Sequence, residues 1–375
     1  MKRLLALLLA ATAIAGCPDP ATPTGRAENV RIVSADHPDL RYEGHWHRGA
    51  VATTNNSGSR LRFNFQGSRL VALFDVAGIR YPPQIYVSID QGESVKYIVD
   101  REHIDLADGL QPGVHEVLLV VKDVDEAGNR WEPPFESALQ LRGFELDAAS
   151  RLLAPPPASR LRMEFYGDSI TQGVLARCNV SSAECSDGAT TYAYLTARTF
   201  AAESNQVGFG AQGITKGGDG RVPKAAETFG LNFQGSPSDP GFVPEIVVVN
   251  QGTNDWPAPA AEFRQGYKAY IEQIRAAYPD AWIFAMGLLG IEGLPFPKST
   301  YIEQIIAEIG DPRIVHVDTR GWLGPGDFDG FTHIHPTVEG HRKVAARLVP
   351  LIAAATGIAA TEGQDPKLAS QKKVD

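Results

Sequence analysis

The sequence lacks long apolar runs after its first 15 residues, and it has no clustered stripe of basic side chains. A membrane-spanning helix needs roughly 18 consecutive apolar residues, so any anchoring is expected at the N-terminus. The chain has 35 lysines and arginines against 44 aspartates and glutamates, a formal net charge of −9. Such a chain is a poor nucleic-acid binder, because contacts to phosphates dominate that affinity. A neutral or sparsely charged polymer is the better-matched partner.

Cysteine is also scarce, with three among 375 residues. Cys178 and Cys185 lie seven positions apart, and a metal site there would need two further ligands that the neighbouring sequence does not offer. In an oxidising compartment we therefore expect them to form a disulfide that closes a small loop.

The N-terminus has the pattern of an export signal. Lys2 and Arg3 precede an apolar stretch from Leu4 to Ala15, followed by a lipobox-like Ile14-Ala15-Gly16-Cys17. In this interpretation residues 1–17 are a lipoprotein signal, Cys17 carries the lipid, and residues 18–28 are a tether. The predicted location is the bacterial cell envelope, with membrane contact only through that lipid. The alternative is an ordinary cleaved signal with an incidental cysteine, and export follows in either case.

The length and a hydrophobic content of 43% predict two domains, each with a sizeable core. Residues 29–150 show short strand-like runs separated by turn residues and no convincing helix, which predicts an all-β sandwich. The proline-rich segment Ala154 to Ala158 marks a stiff linker over residues 151–160. The predicted strands of the sandwich are Arg60 to Phe65, Leu70 to Val76, Gln84 to Ile89, Val95 to Val99, Val114 to Val121 and Leu139 to Leu146.

Over residues 161–357 strand-like runs alternate with helical periodicity, which predicts a doubly wound α/β domain whose ligands bind at the carboxyl ends of strands. Residues 358–375 are expected to be a disordered tail. The predicted strands are Met163 to Tyr166, Gln206 to Phe209, Glu245 to Asn250, Trp282 to Leu288 and Arg313 to Val317, and the predicted helices are Tyr192 to Glu203, Ala260 to Tyr278, Tyr301 to Ile309 and Thr337 to Ala354.

Four short blocks in the second domain carry groups suited to acyl transfer. Ser169 follows a strand-like run, and a serine hydroxyl needs a base such as His335 to become nucleophilic. Gly213 and Asn254 offer a backbone N–H and a side-chain amide for the oxyanion that attack creates. His341 lies inside a helical stretch and is expected to be structural.

In this order, these blocks resemble the SGNH (GDSL-type) hydrolase superfamily over roughly residues 161 to 355. The blocks are Gly167-Asp168-Ser169-Ile170-Thr171, Gly210-Ala211-Gln212-Gly213-Ile214, Gly252-Thr253-Asn254-Asp255 and His335-Pro336. The resemblance implies a flavodoxin-like three-layer domain. It also implies that Ser169 is the nucleophile, that His335 is the general base, and that an oxyanion hole is formed by Ser169, Gly213 and Asn254.

A sandwich ahead of such a domain is similar to carbohydrate esterase family two, whose members carry a jelly-roll-like module. The shared features are Tyr42-Glu43-Gly44-His45-Trp46, Gly113-Val114-His115-Glu116-Val117 and Gly252-Thr253-Asn254-Asp255-Trp256. This likeness implies a serine esterase that deacetylates polysaccharides such as xylan, without cofactor or metal. Trp256 offers a flat face to a sugar ring, or else belongs to the core.

One residue departs from the superfamily pattern. Thr332 stands three positions before His335, where these enzymes usually carry an aspartate that orients the imidazole. We therefore predict a Ser169–His335 dyad with a backbone carbonyl on the ring, and a displaced triad through Asp329 is the alternative. Two other functions stay open, namely a non-catalytic glycan-binding lipoprotein and an esterase acting on a lipid or peptidoglycan ester.

Overall fold

A computed structural model describes residues 30–290 and 297–361 of the chain. The predicted signal and tether, including Cys17, and residues 362–375 of the predicted tail lie outside the described residues. Within the described part, no helix is both long and apolar enough to cross a membrane.

Two antiparallel sheets form the N-terminal part. Their strands in chain order are β1 (Val30–Ser34), β2 (Arg41–Glu43), β3 (Ala52–Thr54), β4 (Arg60–Gly67), β5 (Leu70–Phe74), β6 (Gln84–Ile89), β7 (Val95–Ile98), β8 (His103–Ala107), β9 (Gly113–Asp123), β10 (Leu139–Asp147) and β11 (Arg151–Leu153). One sheet has the order β1-β10-β5-β8, with β3 also paired to β10, and the other has the order β11-β4-β9-β6-β7, with β2 paired to β4.

The two sheets pack face to face because alternate residues on each strand are apolar. Leu61, Phe63 and Phe65 on β4 are fully buried between the sheets. The ring of Phe63 lies 4.6 Å from that of Phe144 on β10 of the opposite sheet. This is the predicted sandwich, and its core is separate from those of the second domain.

A five-stranded parallel sheet forms the centre of the C-terminal part, in the order β13-β12-β16-β17-β18. This order is the flavodoxin-like arrangement, which confirms the predicted fold class. The elements in chain order are β12 (Arg162–Gly167), α1 (Ser169–Gln172), α2 (Tyr192–Thr199), β13 (Glu203–Gly208), α3 (Ala225–Thr228), the hairpin β14 (Leu231–Phe233) and β15 (Ser236–Pro237), β16 (Ile246–Asn250), α4 (Ala260–Ala277), β17 (Trp282–Met286), α5 (Pro297–Ile309), β18 (Ile314–Val317) and α6 (Val338–Thr356).

Helices cover both faces of this sheet. Strand β16 is apolar at four consecutive positions because its side chains enter a core on each face. Val247 and Val249 pack with α4 and α5, and Ile246 and Val248 pack with α2 and α6. Helix α2 is shorter than predicted, since Ala201 has a positive φ of 48° and β13 already begins at Glu203.

The sandwich contacts the second domain over a wide, partly apolar area. Trp131 and Phe135, in the connection between β9 and β10, belong to the core of the α/β domain on its α4 and α5 side. On the outer face of the sandwich, Tyr86 and Leu118 pack with Tyr194 of α2. The proline-rich linker therefore joins two domains that share buried surface.

Candidate functional site

Ser169 is fixed at a sharp turn between β12 and α1. It is the first residue of that helix, and Asp168 caps the helix by accepting a hydrogen bond from the Ile170 N–H at 2.9 Å. Burial raises the pKa of the Asp168 carboxyl to about 7. A Cβ on Gly167 would lie 2.0 Å from the Thr171 hydroxyl, so only glycine permits this turn. The hydroxyl of Ser169, whose residue is 6% exposed, is thus held at the carboxyl edge of the sheet.

His335 lies 166 residues further along the chain, and its Nε2 is 2.9 Å from Ser169 Oγ. Its loop is closed by a bridge between Phe328 and Pro336 and by a 2.8 Å hydrogen bond from the Asp329 N–H to the His335 carbonyl. Burial lowers the pKa of His335, and Asp329 partly offsets this effect. The structure therefore brings the predicted nucleophile and base within proton-transfer distance, with the imidazole biased towards its neutral form.

A carboxylate does lie behind the imidazole, although not at the usual spacing. Asp329 Oδ2 is 3.6 Å from His335 Nδ1, and the Thr332 hydroxyl is 2.9 Å from the same nitrogen. The dyad predicted with a backbone carbonyl on the ring is therefore not what the structure contains, and the alternative through Asp329 is closer to it.

The two other histidines near His335 do not reach the serine in this geometry. His341 is fully buried in α6, where its Nδ1 accepts a hydrogen bond from the Tyr192 N–H at 3.2 Å. Burial lowers its pKa to about 3, so it remains neutral. His333 is exposed, with a left-handed φ of 58°.

Asn254 occupies a short 3₁₀ turn beyond the end of β16. Its side-chain amide donates one N–H to the carbonyl of Gln212 at 2.9 Å. An amide nitrogen carries two N–H bonds, so the second can donate to another acceptor. Gly252, at φ +125°, makes the preceding turn possible, because a Cβ there would lie 3.1 Å from the Phe263 ring. The Asn254 side chain is half-buried.

Gly213 lies beside the same turn, but its N–H already has an acceptor. It donates to the carbonyl of Lys216 at 3.1 Å. The neighbouring N–H groups of Ile214 and Thr215 donate to the two oxygens of Asp255, each at 2.8 Å. A Cβ on Gly213 would lie 2.7 Å from Asp255, so close approach requires glycine here. Asp255 thus holds this loop against the Asn254 turn, a role that the sequence analysis missed.

Three large apolar side chains close in sequence to the site residues are exposed. Trp256 is 81% exposed, which excludes the alternative that it belongs to the core. Phe331 and Ile334, in the His335 loop, are 66% and 44% exposed. Large exposed apolar groups of this kind are typical of a surface that contacts another molecule. Among the described residues, no group of three or more His, Cys, Asp or Glu side chains could hold a metal ion.

Cys178 and Cys185 form a disulfide with Cα atoms 4.8 Å apart. The loop that it closes contacts the His335 loop, since Asn179 Oδ1 accepts a hydrogen bond from the Gly330 N–H at 2.9 Å. On its other side, Lys122 of the sandwich donates to three carbonyls of the segment 183–186. The loop therefore connects the sandwich to the segment that carries His335.

Arg130 is a second link between the sandwich and the site that the sequence analysis missed. It is fully buried, and its Nη1 donates to the Gln172 side-chain oxygen at 2.9 Å, one turn after Ser169. The same oxygen accepts the Gly210 N–H at 3.0 Å. A sandwich side chain thus supports both the serine helix and the loop that leads to Gly213. No short motif reveals this contact, because its partners lie 42 residues apart in different domains.

We expect Arg130→Met to lower the free energy of unfolding by about 3 kcal/mol, because removing one partner of a buried charged network leaves the others uncompensated. Burial already raises the pKa of the neighbouring Asp123 to about 7, with Lys122 and Arg130 among the groups that oppose this rise. Arg80→Met is the matched control, since Arg80 pairs with Glu136 but is 71% exposed. Its expected cost is below about 1 kcal/mol. Equal losses for both variants in urea unfolding would contradict the structural role of Arg130.

Residues 165–343 match the GDSL-like Lipase/Acylhydrolase family, which confirms the predicted superfamily resemblance. Cellulase/esterase CelE of Acetivibrio thermocellus is 27% identical over 349 residues, covering 86% of this chain and 40% of CelE. The chain thus spans less than half the length of that relative.

Solved structures that share the fold include the following two. A family two carbohydrate esterase from Clostridium thermocellum, in complex with cellohexaose, is 24% identical, covers 85% of this chain and all of its own, and has a TM-score of 0.72. The acetyl xylan esterase Est2A from Butyrivibrio proteoclasticus is 17% identical, covers 88% of this chain and 99% of its own, and has a TM-score of 0.71.

Proposed function

Since its C-terminal half is a GDSL-type acylhydrolase domain, we propose that this protein is an exported serine esterase that removes acetyl groups from polysaccharides. The observation that carries the proposal is the 2.9 Å contact between Ser169 Oγ and His335 Nε2, made by residues from opposite ends of the domain. A buried serine without a base would be barely nucleophilic at neutral pH.

The proposed reaction has two steps. Ser169 Oγ attacks the acetyl carbonyl carbon while His335 Nε2 takes the hydroxyl proton, and the tetrahedral intermediate carries negative charge on the former carbonyl oxygen. Its collapse breaks the bond to the sugar oxygen, which takes the proton back from His335. Water then attacks the acetyl carbonyl carbon while His335 Nε2 takes one of its protons. The bond to Ser169 Oγ breaks, acetate leaves, and the proton passes from His335 back to the serine oxygen.

Two donors are ready for the oxyanion. The Ser169 N–H is the first of α1, so no carbonyl one turn earlier accepts its hydrogen bond. The free N–H bond of the Asn254 amide is the second. The third predicted donor, the Gly213 N–H, would have to exchange the carbonyl of Lys216 for the oxyanion. We therefore assign more of the charge stabilisation to Asn254 than the sequence alone indicates.

A polysaccharide substrate is supported by the surface around the serine and by the relatives. Trp256 offers a flat exposed ring on which a pyranose could stack. Among the similar proteins are family two carbohydrate esterases, one of them solved with cellohexaose. The acidic chain also disfavours nucleic acid as a partner. The lipid anchor at Cys17, the export signal and the location in the cell envelope remain part of the proposal.

The substrate class is tested by acetate release from acetylated xylan and acetylated mannan, compared with a long-chain triacylglycerol emulsion and with acetylated peptidoglycan. We expect rapid release from at least one acetylated plant-type polysaccharide. The same polymer after alkaline deacetylation is the blank. Faster hydrolysis of the lipid or of peptidoglycan would assign the enzyme to that substrate instead. Polymer binding without any acetate release would favour the non-catalytic alternative.

A further inference from the structure

The carboxylate of Asp329 lies at the centre of the loop that carries His335, and its side chain is fully buried. The N–H groups of Phe331 and Thr332 donate to its Oδ1, and that of His335 donates to its Oδ2 at 3.0 Å. Burial opposes ionisation, but hydrogen bonds from the Thr332 hydroxyl and from the backbone hold the pKa of Asp329 well below its usual range. At neutral pH this carboxylate is ionised and can only accept hydrogen bonds.

The hydroxyl of Thr332 lies between this carboxylate and the imidazole. Its Oγ1 is 2.6 Å from Asp329 Oδ2 and 2.9 Å from His335 Nδ1. A hydroxyl has one proton to donate, and the ionised carboxylate has none, so the proton of Thr332 points to Asp329. The lone pairs of Oγ1 then face the ring and the Ile334 N–H, which is 3.3 Å away.

These directions determine which ring nitrogen is protonated. Because Oγ1 can only accept from the imidazole, His335 carries its proton on Nδ1. Nε2 is left with a lone pair, 2.9 Å from the Ser169 hydroxyl that it must deprotonate. A neutral histidine with the opposite tautomer could not act as the base.

We propose that Thr332 and Asp329 are positioning residues that form a hydroxyl-bridged relay in place of the direct carboxylate contact of the superfamily. The role rests on the proposed esterase function. No proton leaves Thr332 or Asp329 during the reaction, because the proton of Ser169 moves to Nε2 and from there to the leaving oxygen. The relay holds the tautomer and places negative charge 3.6 Å from the imidazolium as it forms.

The charged group that acts on the ring is Asp329, and a second ionisable side chain, His341, lies nearby on another element. Asp329, in the same loop, favours the protonated imidazole, and His341 of α6 stays neutral at working pH. Removing the negative charge with Asp329→Asn should therefore lower the pKa of His335 further and move the acid limb of kcat/KM to lower pH. The height of the plateau should fall as well, because the tautomer is no longer fixed.

The experiment uses Thr332→Val, Thr332→Ser and the control Thr337→Val in the full chain. Valine removes the hydroxyl but keeps the shape and leaves the backbone contacts of Asp329 in place. Thr337 is a similarly half-buried threonine two residues after His335 whose hydroxyl does not contact the ring. Each variant is measured for kcat/KM against pH and for the ring N–H signal of His335 by nitrogen-15 NMR, assigned with His335→Gln.

We expect Thr332→Val to lower the kcat/KM plateau about 100-fold and to remove the downfield Nδ1 proton signal, with Thr332→Ser within about fivefold of wild type. Thr337→Val should keep both the signal and the acid limb. An unchanged Nδ1 signal in Thr332→Val, or equal losses for valine and serine, would overturn the relay. If the wild type hydrolyses no ester but valine still removes the signal, the proposed function fails and the relay stands.

Discussion

Replacing Ser169 with alanine is expected to lower kcat for ester hydrolysis about 10⁶-fold, because the attacking oxygen is removed while the rest of the site remains. His335→Ala should cost nearly as much, and the double variant should be no worse than either single one. Residues that act as one unit give such non-additive losses, since each is of little use without the other. The measurement is single-turnover hydrolysis of an aryl acetate and of acetylated xylan.

The matched control is Ser186→Ala, which removes a buried serine hydroxyl from the segment packed against the sandwich. Its carbonyl, not its side chain, accepts the hydrogen bond from Lys122, so that contact survives the substitution. We expect near wild-type kcat for this control. Losses in the two single variants that multiply in the double variant would show that Ser169 and His335 act independently, and would contradict the shared proton.

Asn254→Ala is expected to lower kcat about 10² to 10³-fold with little change in KM, the effect typical of losing one oxyanion donor. The reason is that its amide acts on charge that exists only in the transition state. The Gly213 N–H already donates to the carbonyl of Lys216, so it is not free to take over when the Asn254 amide is removed.

The loss in Asn254→Ala could come from the missing hydrogen-bond donor or from lost packing, and Asn254→Asp distinguishes the two. Aspartate keeps the size of the side chain but cannot donate to Gln212 or to an oxyanion when ionised. We expect it to lose as much kcat as alanine. If aspartate retained most of the activity, or if alanine raised KM and left kcat unchanged, Asn254 would be a substrate contact and not part of the oxyanion hole.

Much of the fold could be predicted because the sequence pattern and the local chemistry agree. Strand β16 is apolar on both faces, and the helix that follows carries a clear stripe of Phe263, Tyr267 and Ile271 that enters the core. Ser169 and Asn254 each follow a strand of the central sheet, and those two strands are neighbours, so topology alone places both residues at its carboxyl edge.

The support of the imidazole could not be predicted in the same way. Three residues before His335, where the superfamily usually has an aspartate, this chain has Thr332. Asp329 stands at twice that spacing. The loop returns on itself through the bridge between Phe328 and Pro336, which brings the carboxylate behind the ring with a hydroxyl between them. Such geometry depends on backbone hydrogen bonds that a residue pattern does not encode.

The contacts between the domains could not be predicted from the sequence for a related reason. Arg130 lies in a stretch with the turn residues of a surface loop, yet its side chain is fully buried and stacks 5.1 Å from the ring centre of Phe209. The sequence indicates a linker between two domains, and it contains no signal that one domain completes the core of the other. Only the packed structure shows that the sandwich supports the serine helix.

The most direct test of the catalytic pair is covalent labelling with a fluorophosphonate, followed by mass spectrometry of the intact chain and of its peptides. The reagent needs a serine activated by a neighbouring base, and it does not depend on knowing the natural ester. We predict one label per chain, located on Ser169, with labelling lost in Ser169→Ala and slowed at least about 100-fold in His335→Ala. A label on a different residue, or an esterase whose Ser169 stays unlabelled, would contradict the assignment.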